Sequence, residues 1–547
     1  MRRLLLAALL CPMLAGAQNH TDSISQVRKV AAWYDLDFTD AEADSLLESL
    51  QDYKLAYSAM HKQLPANSIP YPFAFQPAPF GTVIPQVQKP VPWEFPAQQL
   101  PANRAELAYY SIPQLASLIK SMKISSEELT RYFIARLKKW SDTLKSVITL
   151  TEDLALREAR AADAEIRAGH YRGPLHGIPY GLKDLFAVKG YKTTWGSTPY
   201  KDQVLDEDAF VYRQLKKAGA VLCAKLSLGA LAYNNKWFGG ETKNPWDLKQ
   251  GSSGSSAGSA ASVVAGLLPF TIGTETLGSI ISPSARCGAT GLRPTFGTVS
   301  RSGAMVLCWS LDKAGPICRS AEDDAIVYYY LKGTDGRDPG AVDHAFNFDP
   351  KADVKKLRIA YAANYFQRLS KDAPEWRVLD EYRALGVEPV PVNFPDSTVY
   401  PYDMIGLVLA AESAAAFDDL TRSNRDELVE RQDKDFWPNT FRAARFIPAV
   451  EYINANRRRS ELCVAVQNFM KNWDVVITPS FAGRQLSITN LTGNPALCLP
   501  IGFTKEGRPQ SITLLGNLYD EAAILQAAKA FQDRTSFHKQ HPALFRN

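Results

Sequence analysis

Short apolar runs that alternate with helical stretches constrain this chain more than any other feature. "GPLHGIPYGLKDLFAV" (173–188), "GAVLCAKL" (219–226), "KLRIAYAA" (356–363) and "WDVVITPS" (473–480) have strand length and little polar alternation. Strands of that texture are buried on both faces, which requires helices on each side of one sheet. The stretches between them supply such helices. In "KISSEELTRYFIARLKKW" (123–140), Ser125 and Glu128 stand at capping-box spacing. Leu129, Phe133, Leu137 and Trp140 then fall on one helical face, a core-packing pattern. From about Ala105 to the end, the chain therefore reads as an α/β domain, one large sheet covered by helices. There is no internal repeat. A composition of 46% hydrophobic and 22% charged residues over 547 positions is ample for such a core.

Residues 1–104 have a different texture. Arg2 and Arg3, an apolar run, and Ala15-Gly16-Ala17 have the layout of a secretory signal peptide spanning residues 1–17. Export to the periplasm or outside the cell is expected. No later run is apolar and long enough to suggest a membrane span. Residues 18–104 form an extension. Its part from 21 to 62 is helical in pattern, and ten prolines between Pro65 and Pro101 enforce an extended arm. The net charge of +5 is small for this length and gives no reason to expect nucleic acid as a partner. Six cysteines remain after position 17, far apart and set in apolar runs, which suits buried free thiols. No CxxC, HExxH or close His/Cys pair offers a metal site. The charged stretch from Asp418 to Arg459 reads as surface helices, with Arg457 to Arg459 on a solvated face.

"GSSGSSAGS" (251–259) has linker composition but not linker surroundings. It runs directly into an apolar helix (260–268), then a strand-like "PFTIG", then a second small-residue turn, "TETLGSIISP". Two tight turns around a buried element belong inside a domain. "GSSAG" (254–258) matches a GxSxG elbow centred on Ser256, but "NPWDLKQ" before it reads as a polar loop where an elbow needs a strand. A Ser-His-Asp triad has no good histidine. His20, His61, His538 and His541 lie in the arm or tail, and His176, in strand-like core sequence, reads as a packed core residue. The SxxK pair Ser117–Lys120 lies on a helix face with no KTG motif to complete it. What remains is a lysine at a strand end, Lys183, and two serine-bearing turns. A buried lysine whose pKa has fallen can deprotonate a serine, and main-chain N–H groups of a tight turn can hold an oxyanion.

At these residues the chain resembles the amidase signature family, which includes fatty acid amide hydrolases, peptide amidases and the glutamyl-tRNA amidotransferase A subunit. "GPLHGIPYGLKD" is similar to its lysine strand and "NPWDLKQGSSGSSAGSAASVVAG" to its serine/glycine signature. "GTETLGSIISPSARCGATGLRPTFG" is similar to its nucleophile segment, and "LTGNPALCLPIGFTKEGRPQSITLLG" to its C-terminal strands. The likeness runs in order from about residue 105 to 535.

The resemblance implies a single large domain with a mixed sheet flanked by helices. It also implies a catalytic set of Lys183, Ser255 (held by an unusual cis peptide) and the nucleophile Ser279. Main-chain N–H groups of Thr276, Leu277, Gly278 and Ser279 would form the oxyanion hole. Further implications are an amidase acting on a small linear carboxamide through an acyl-enzyme, and no cofactor. The alternative within the family is an A-type amidotransferase subunit working in a complex. Four positions depart from the common pattern: Leu277 where glycine is usual, Ile281 where arginine is usual, Ala257 for glycine and Glu275 for aspartate.

Overall fold

The computed structural model describes residues 20–62, 64–69, 73–79, 81–396 and 403–546. The segment read as a signal peptide lies outside the described residues. Two compact units divide the chain, one up to Ala66 and one from Asn67 onward. The boundary thus falls inside the stretch read as a single extension. In the first unit, residues 20–32 and Asp40–Met60 are helical, and Thr39 and Glu42 close a reciprocal capping box ahead of the second helix.

From Asn67 on, the described residues of the proline-rich stretch belong to the second unit and form no helix or strand up to Asn103. The stretch is tied down by hydrogen bonds: Gln88 Nε2 donates to Phe346 O (2.8 Å) and Lys89 N to Asn347 Oδ1 (2.8 Å). Trp93 packs edge-on to Tyr329 with ring centroids 5.6 Å apart.

Eleven strands build the central sheet among the described residues. In chain order they are β1 Val147–Leu150, β2 Pro179–Lys183, β3 Val221–Leu226, β4 Phe270–Glu275, β5 Thr290–Arg293 and β6 Lys313–Cys318. β7 Ile359–Ala362, β8 Val390–Val392, β9 Val475–Pro479, β10 Ala496–Phe503 and β11 Pro509–Gly516 follow. The spatial order is β1-β3-β2-β4-β6-β5-β10-β11-β9-β7-β8. β2 runs parallel to both neighbours, and β7 runs parallel to β8 and β9. The other pairs are antiparallel, so the sheet is mixed. Every residue of β2, β3, β6 and β9 is buried, as the unbroken apolar runs require.

The Ser126–Leu144 helix begins where the sequence placed it. Ser125 accepts the Glu128 N–H, but the Glu128 carboxylate faces Arg104 at 3.7 Å instead of closing the box. Leu129, Phe133 and Leu137 are fully buried, and Trp140 packs on Phe545 with centroids 5.1 Å apart. His176 is fully buried and takes the Arg172 N–H at Nδ1 (3.1 Å), as a core histidine would. All six cysteines of the body are buried and free.

Two expectations need correction. "NPWDLKQ" is not a loop: Lys243–Asn244 and Asp247–Gly251 pair as a small hairpin outside the central sheet. Arg459 is not on a solvated face. It is buried in the Ala449–Met470 helix, donating to Leu491 O (2.6 Å), Ser310 Oγ (2.9 Å) and Ser310 O (2.8 Å), with its guanidinium 3.5 Å from the Phe75 ring centre. Charge count concealed this, because a guanidinium whose donors meet carbonyls and an aromatic face can be buried without a carboxylate.

Candidate active site

The parallel run of β2 beside β4 delivers Lys183 to the carboxyl end of the sheet, next to the Gly/Ser tract. Its side chain is fully buried. Nζ lies 2.8 Å from Ser255 Oγ, 2.8 Å from Thr274 Oγ1 and 3.1 Å from Ser256 Oγ. None of these neighbours carries charge. Burial therefore pushes the Lys183 amine well below its ordinary pKa, with the more remote Asp312 and Glu275 opposing.

The adjacent Asp184 does not restore the charge. Strand alternation turns it to the other face, where it pairs with Lys225 Nζ (2.7 Å) and accepts from Thr194 N (2.9 Å) and Oγ1 (2.5 Å).

Small residues in the tract have a steric cause. The Gly254–Ser255 peptide is cis. A Cβ on Gly254 would stand 1.9 Å from Asn234 O, and one on Gly258 would stand 2.3 Å from Ser146 O. Both obstacles are backbone, so no side-chain adjustment relieves them. Ser256, the centre of the GxSxG match, is buried at the start of the Ala257–Val264 helix. Its Oγ accepts from Thr274 N (3.1 Å) and donates to Thr274 O (3.0 Å), tying the tract to β4.

Ser279 ends the turn between β4 and the Ile281–Cys287 helix and is 8% exposed. Ser256 N donates to its carbonyl (3.1 Å), which fixes the two turns against one another. Gly278 supplies a φ of +83° there. The main-chain N–H groups of Leu277, Gly278 and Ser279 donate to no protein acceptor among the described residues. The next two, of Ile280 and Ile281, both donate to Glu275 Oε2 (2.9 and 3.0 Å). The turn therefore carries a row of undirected donors next to the serine hydroxyl.

Glu275 emerges as the residue that shapes this turn, a role its sequence departure only hinted at. Its other oxygen accepts from Arg293 Nη1 (2.9 Å) and Asn490 Nδ2 (2.9 Å), all within the core. Burial alone would raise its pKa. The nearby Arg293 and Lys313 and the Ile281 N–H outweigh that and hold it at about 2.

Sequence reasoning also missed Thr274 beside the lysine and Asp312, which accepts from Thr276 Oγ1 (2.6 Å), Leu307 N (2.8 Å) and Cys308 N (2.9 Å). Thr274 was legible in principle, since it lies on the strand that leads into the turn carrying Ser279. The pairing of Asp312 depends on a distant loop. Ile281, in place of the usual arginine, is fully buried, and Leu277 packs against the same apolar cluster. Among the described residues, no group of three or more His, Cys, Asp or Glu is placed to hold a metal ion.

A depressed carboxylate pKa makes stability depend on acid. Glu275 contributes fully above the ordinary value of 4.5, and its contribution is lost as pH falls towards about 2. At about 1.4 kcal/mol per unit, the ionised form is worth on the order of 3 kcal/mol at neutral pH. Glu275→Gln is expected to be less stable than wild type in urea unfolding at pH 7, with the gap narrowing between pH 4.5 and 2. A gap independent of pH would show that the carboxylate charge is not what holds the turn.

Known proteins resemble this chain in sequence and fold. The amidase family model matches residues 128–489. The chain is 34% identical to the A component of the glutamyl-tRNA(Gln) amidotransferase of Acinetobacter baumannii (strain AYE), over 80% of this chain and 99% of that one. It is 32% identical to the Moorella thermoacetica protein of the same name, with the same shares covered. Its fold superposes on the native peptide amidase of Stenotrophomonas maltophilia with a TM-score of 0.71 at 28% identity, covering 79% of this chain and 98% of that one. The fold, the extent of the match and the identity to these relatives agree: the chain belongs to the amidase family, enzymes that act on amide C–N bonds.

Proposed function

We propose that this protein hydrolyses a linear carboxamide with Ser279 as nucleophile, Ser255 as proton relay and Lys183 as base. The observation that carries the reading is the Lys183 amine, buried without a carboxylate and 2.8 Å from Ser255 Oγ.

An uncharged amine has a lone pair and can take the Ser255 proton as Ser255 takes that of Ser279. The Ser279 oxygen then bonds to the carbonyl carbon. The resulting oxyanion is held by main-chain N–H groups in the stretch from Thr276 to Ser279, of which those of Leu277, Gly278 and Ser279 have no protein acceptor among the described residues. Leucine at 277 presents its N–H as glycine would. As the C–N bond breaks, the proton returns through Ser255 to the departing amine, leaving an ester on Ser279. Water, deprotonated by the same relay, attacks that ester and releases the acid. The two bonds of Ser256 Oγ to the Thr274 main chain favour Ser279 over Ser256 as the nucleophile.

A second reading draws on the amidotransferase relatives, and makes this chain one part of a complex. It differs in a measurable respect: a lone hydrolase turns over amides without a partner chain. Export of the protein, with residues 1–17 removed, is part of the favoured reading and rests on the basic start and the Ala15-Gly16-Ala17 site. Amino-terminal sequencing of the protein from its native host is expected to begin at Gln18. An intact Met1 would contradict export.

Purified alone, the protein is expected to hydrolyse amides with kcat/KM rising with pH through an apparent pKa below the ordinary lysine value of 10.5, because only the unprotonated amine is active. Lys183→Ala should remove that limb and about 10²–10⁴-fold of the activity. Ser279→Ala should abolish labelling by a serine-directed phosphonate, whereas Ser256→Ala should still be labelled. Normal turnover in Lys183→Ala, or labelling that survives in Ser279→Ala and vanishes in Ser256→Ala, would overturn the mechanism.

A further inference from the structure

A cavity of about 290 Å³ adjoins the nucleophile turn, with Thr274 and Thr276 in its wall. One of its sides comes from outside the family match: Ser68, Phe73 and Ala74 of the proline-rich segment line it, although the match begins only at residue 128. Phe186, Met305 and Trp309 also line it.

The segment is pinned at both ends of this stretch. The Asn67 side chain acts as a two-way clamp on the cavity-lining residue Val306, donating Nδ2 to Val306 O (3.0 Å) and accepting Val306 N at Oδ1 (3.0 Å). Its Nδ2 also reaches Ala416 O (3.2 Å). Beyond the cavity, the Phe75 ring lies under the buried Arg459 guanidinium and edge-on to Phe296, with centroids 5.2 Å apart.

Charge in the lining is already matched. Arg301 meets Asp338 with two bonds of 2.7 Å, and Arg337 meets Glu207 at 2.8 Å. Asp312 is occupied by Thr276 and two main-chain N–H groups. Lys313 donates to Leu311 O, and burial, aided by Arg293, pushes its amine well below the ordinary pKa. A ligand carboxylate or ammonium would enter this cavity without a free countercharge, at a large desolvation cost.

Resting on the amide-hydrolase reading above, we infer that this cavity takes the substrate's acyl group, that this group is uncharged and apolar, and that the Asn67-anchored segment sets which acyl groups fit. The acyl portion is the part that stays on Ser279 after the amine leaves, and Thr276 of the same turn lines this cavity, so a partly open, mainly apolar space at that point suits it. Phe73 supplies apolar wall, and Asn67 is a positioning residue that acts through Val306.

The test compares hydrolysis of acetamide, hexanamide and succinamate, the last bearing a carboxylate, by wild type, Phe73→Ala and Asn67→Ala. Phe73 is 76% exposed and belongs to none of the buried core clusters. Wild type should favour hexanamide over both other amides. In each variant the ratio of kcat/KM for hexanamide to that for acetamide should fall about tenfold, the scale on which apolar pockets discriminate acyl groups. The change in hexanamide hydrolysis should sit in KM. An unchanged ratio in both variants, a preference for succinamate, or an equal loss of kcat on all amides would overturn the inference. Failure of the hydrolase reading has a different signature: wild type then turns over none of the amides and Ser279 takes no phosphonate.

Discussion

The placement of one amine out of reach of water organises the centre of this molecule. Lys183 stands at the end of a strand buried along its whole length, and Nζ meets hydroxyls, not carboxylates. Keeping that amine inside the protein without a counter-ion favours the neutral form, and a neutral amine is a base. Much of the surrounding structure maintains this state. Asp184 is held on the far face by Lys225, so the nearest carboxylate in sequence is kept from recharging the lysine. The cost of burying Asp184 and Lys225 is met by their mutual bond and by Thr193 and Thr194.

The second demand is a sharp turn with its N–H groups pointing at nothing. Such donors are costly in a core unless the backbone is otherwise fixed. Glu275 fixes it by taking the N–H groups of Ile280 and Ile281 and locking itself to Arg293 and Asn490, which come from β5 and the Gln485–Thr492 helix. An aspartate is one methylene shorter. Here the longer glutamate spans the gap, while Ile281 fills the neighbouring place with apolar contact. The two departures lie in adjoining packing, and both leave Lys183, Ser255 and Ser279 untouched.

Much of this was legible in the sequence, and the gaps have physical causes. Uninterrupted apolar runs marked β2, β3, β7 and β9 because a strand buried on both faces has no polar period. The Gly/Ser tract declared itself as intramolecular by the apolar helix behind it. Its need for small residues reflects main-chain obstacles at Gly254 and Gly258 that no local pattern reveals. Arg459 was misread because burial by carbonyls and a phenylalanine face leaves no acidic partner to notice. The Asp312 and Asn67 contacts join segments 36 and 239 residues apart, and separations of that size carry no periodic signature. The small hairpin ahead of the tract was missed because its strands are short, polar and half exposed.

The central claim is the charge state of Lys183, and a direct titration tests it. In protein labelled with ¹⁵N at lysine Nζ, the Lys183 resonance can be assigned by its absence in Lys183→Met. The account predicts that Lys183 loses its ammonium shift at a pH well below that of the surface lysines, which remain ammonium up to about pH 10. A Lys183 resonance that keeps the ammonium shift at pH 7 and titrates together with the surface lysines would contradict it.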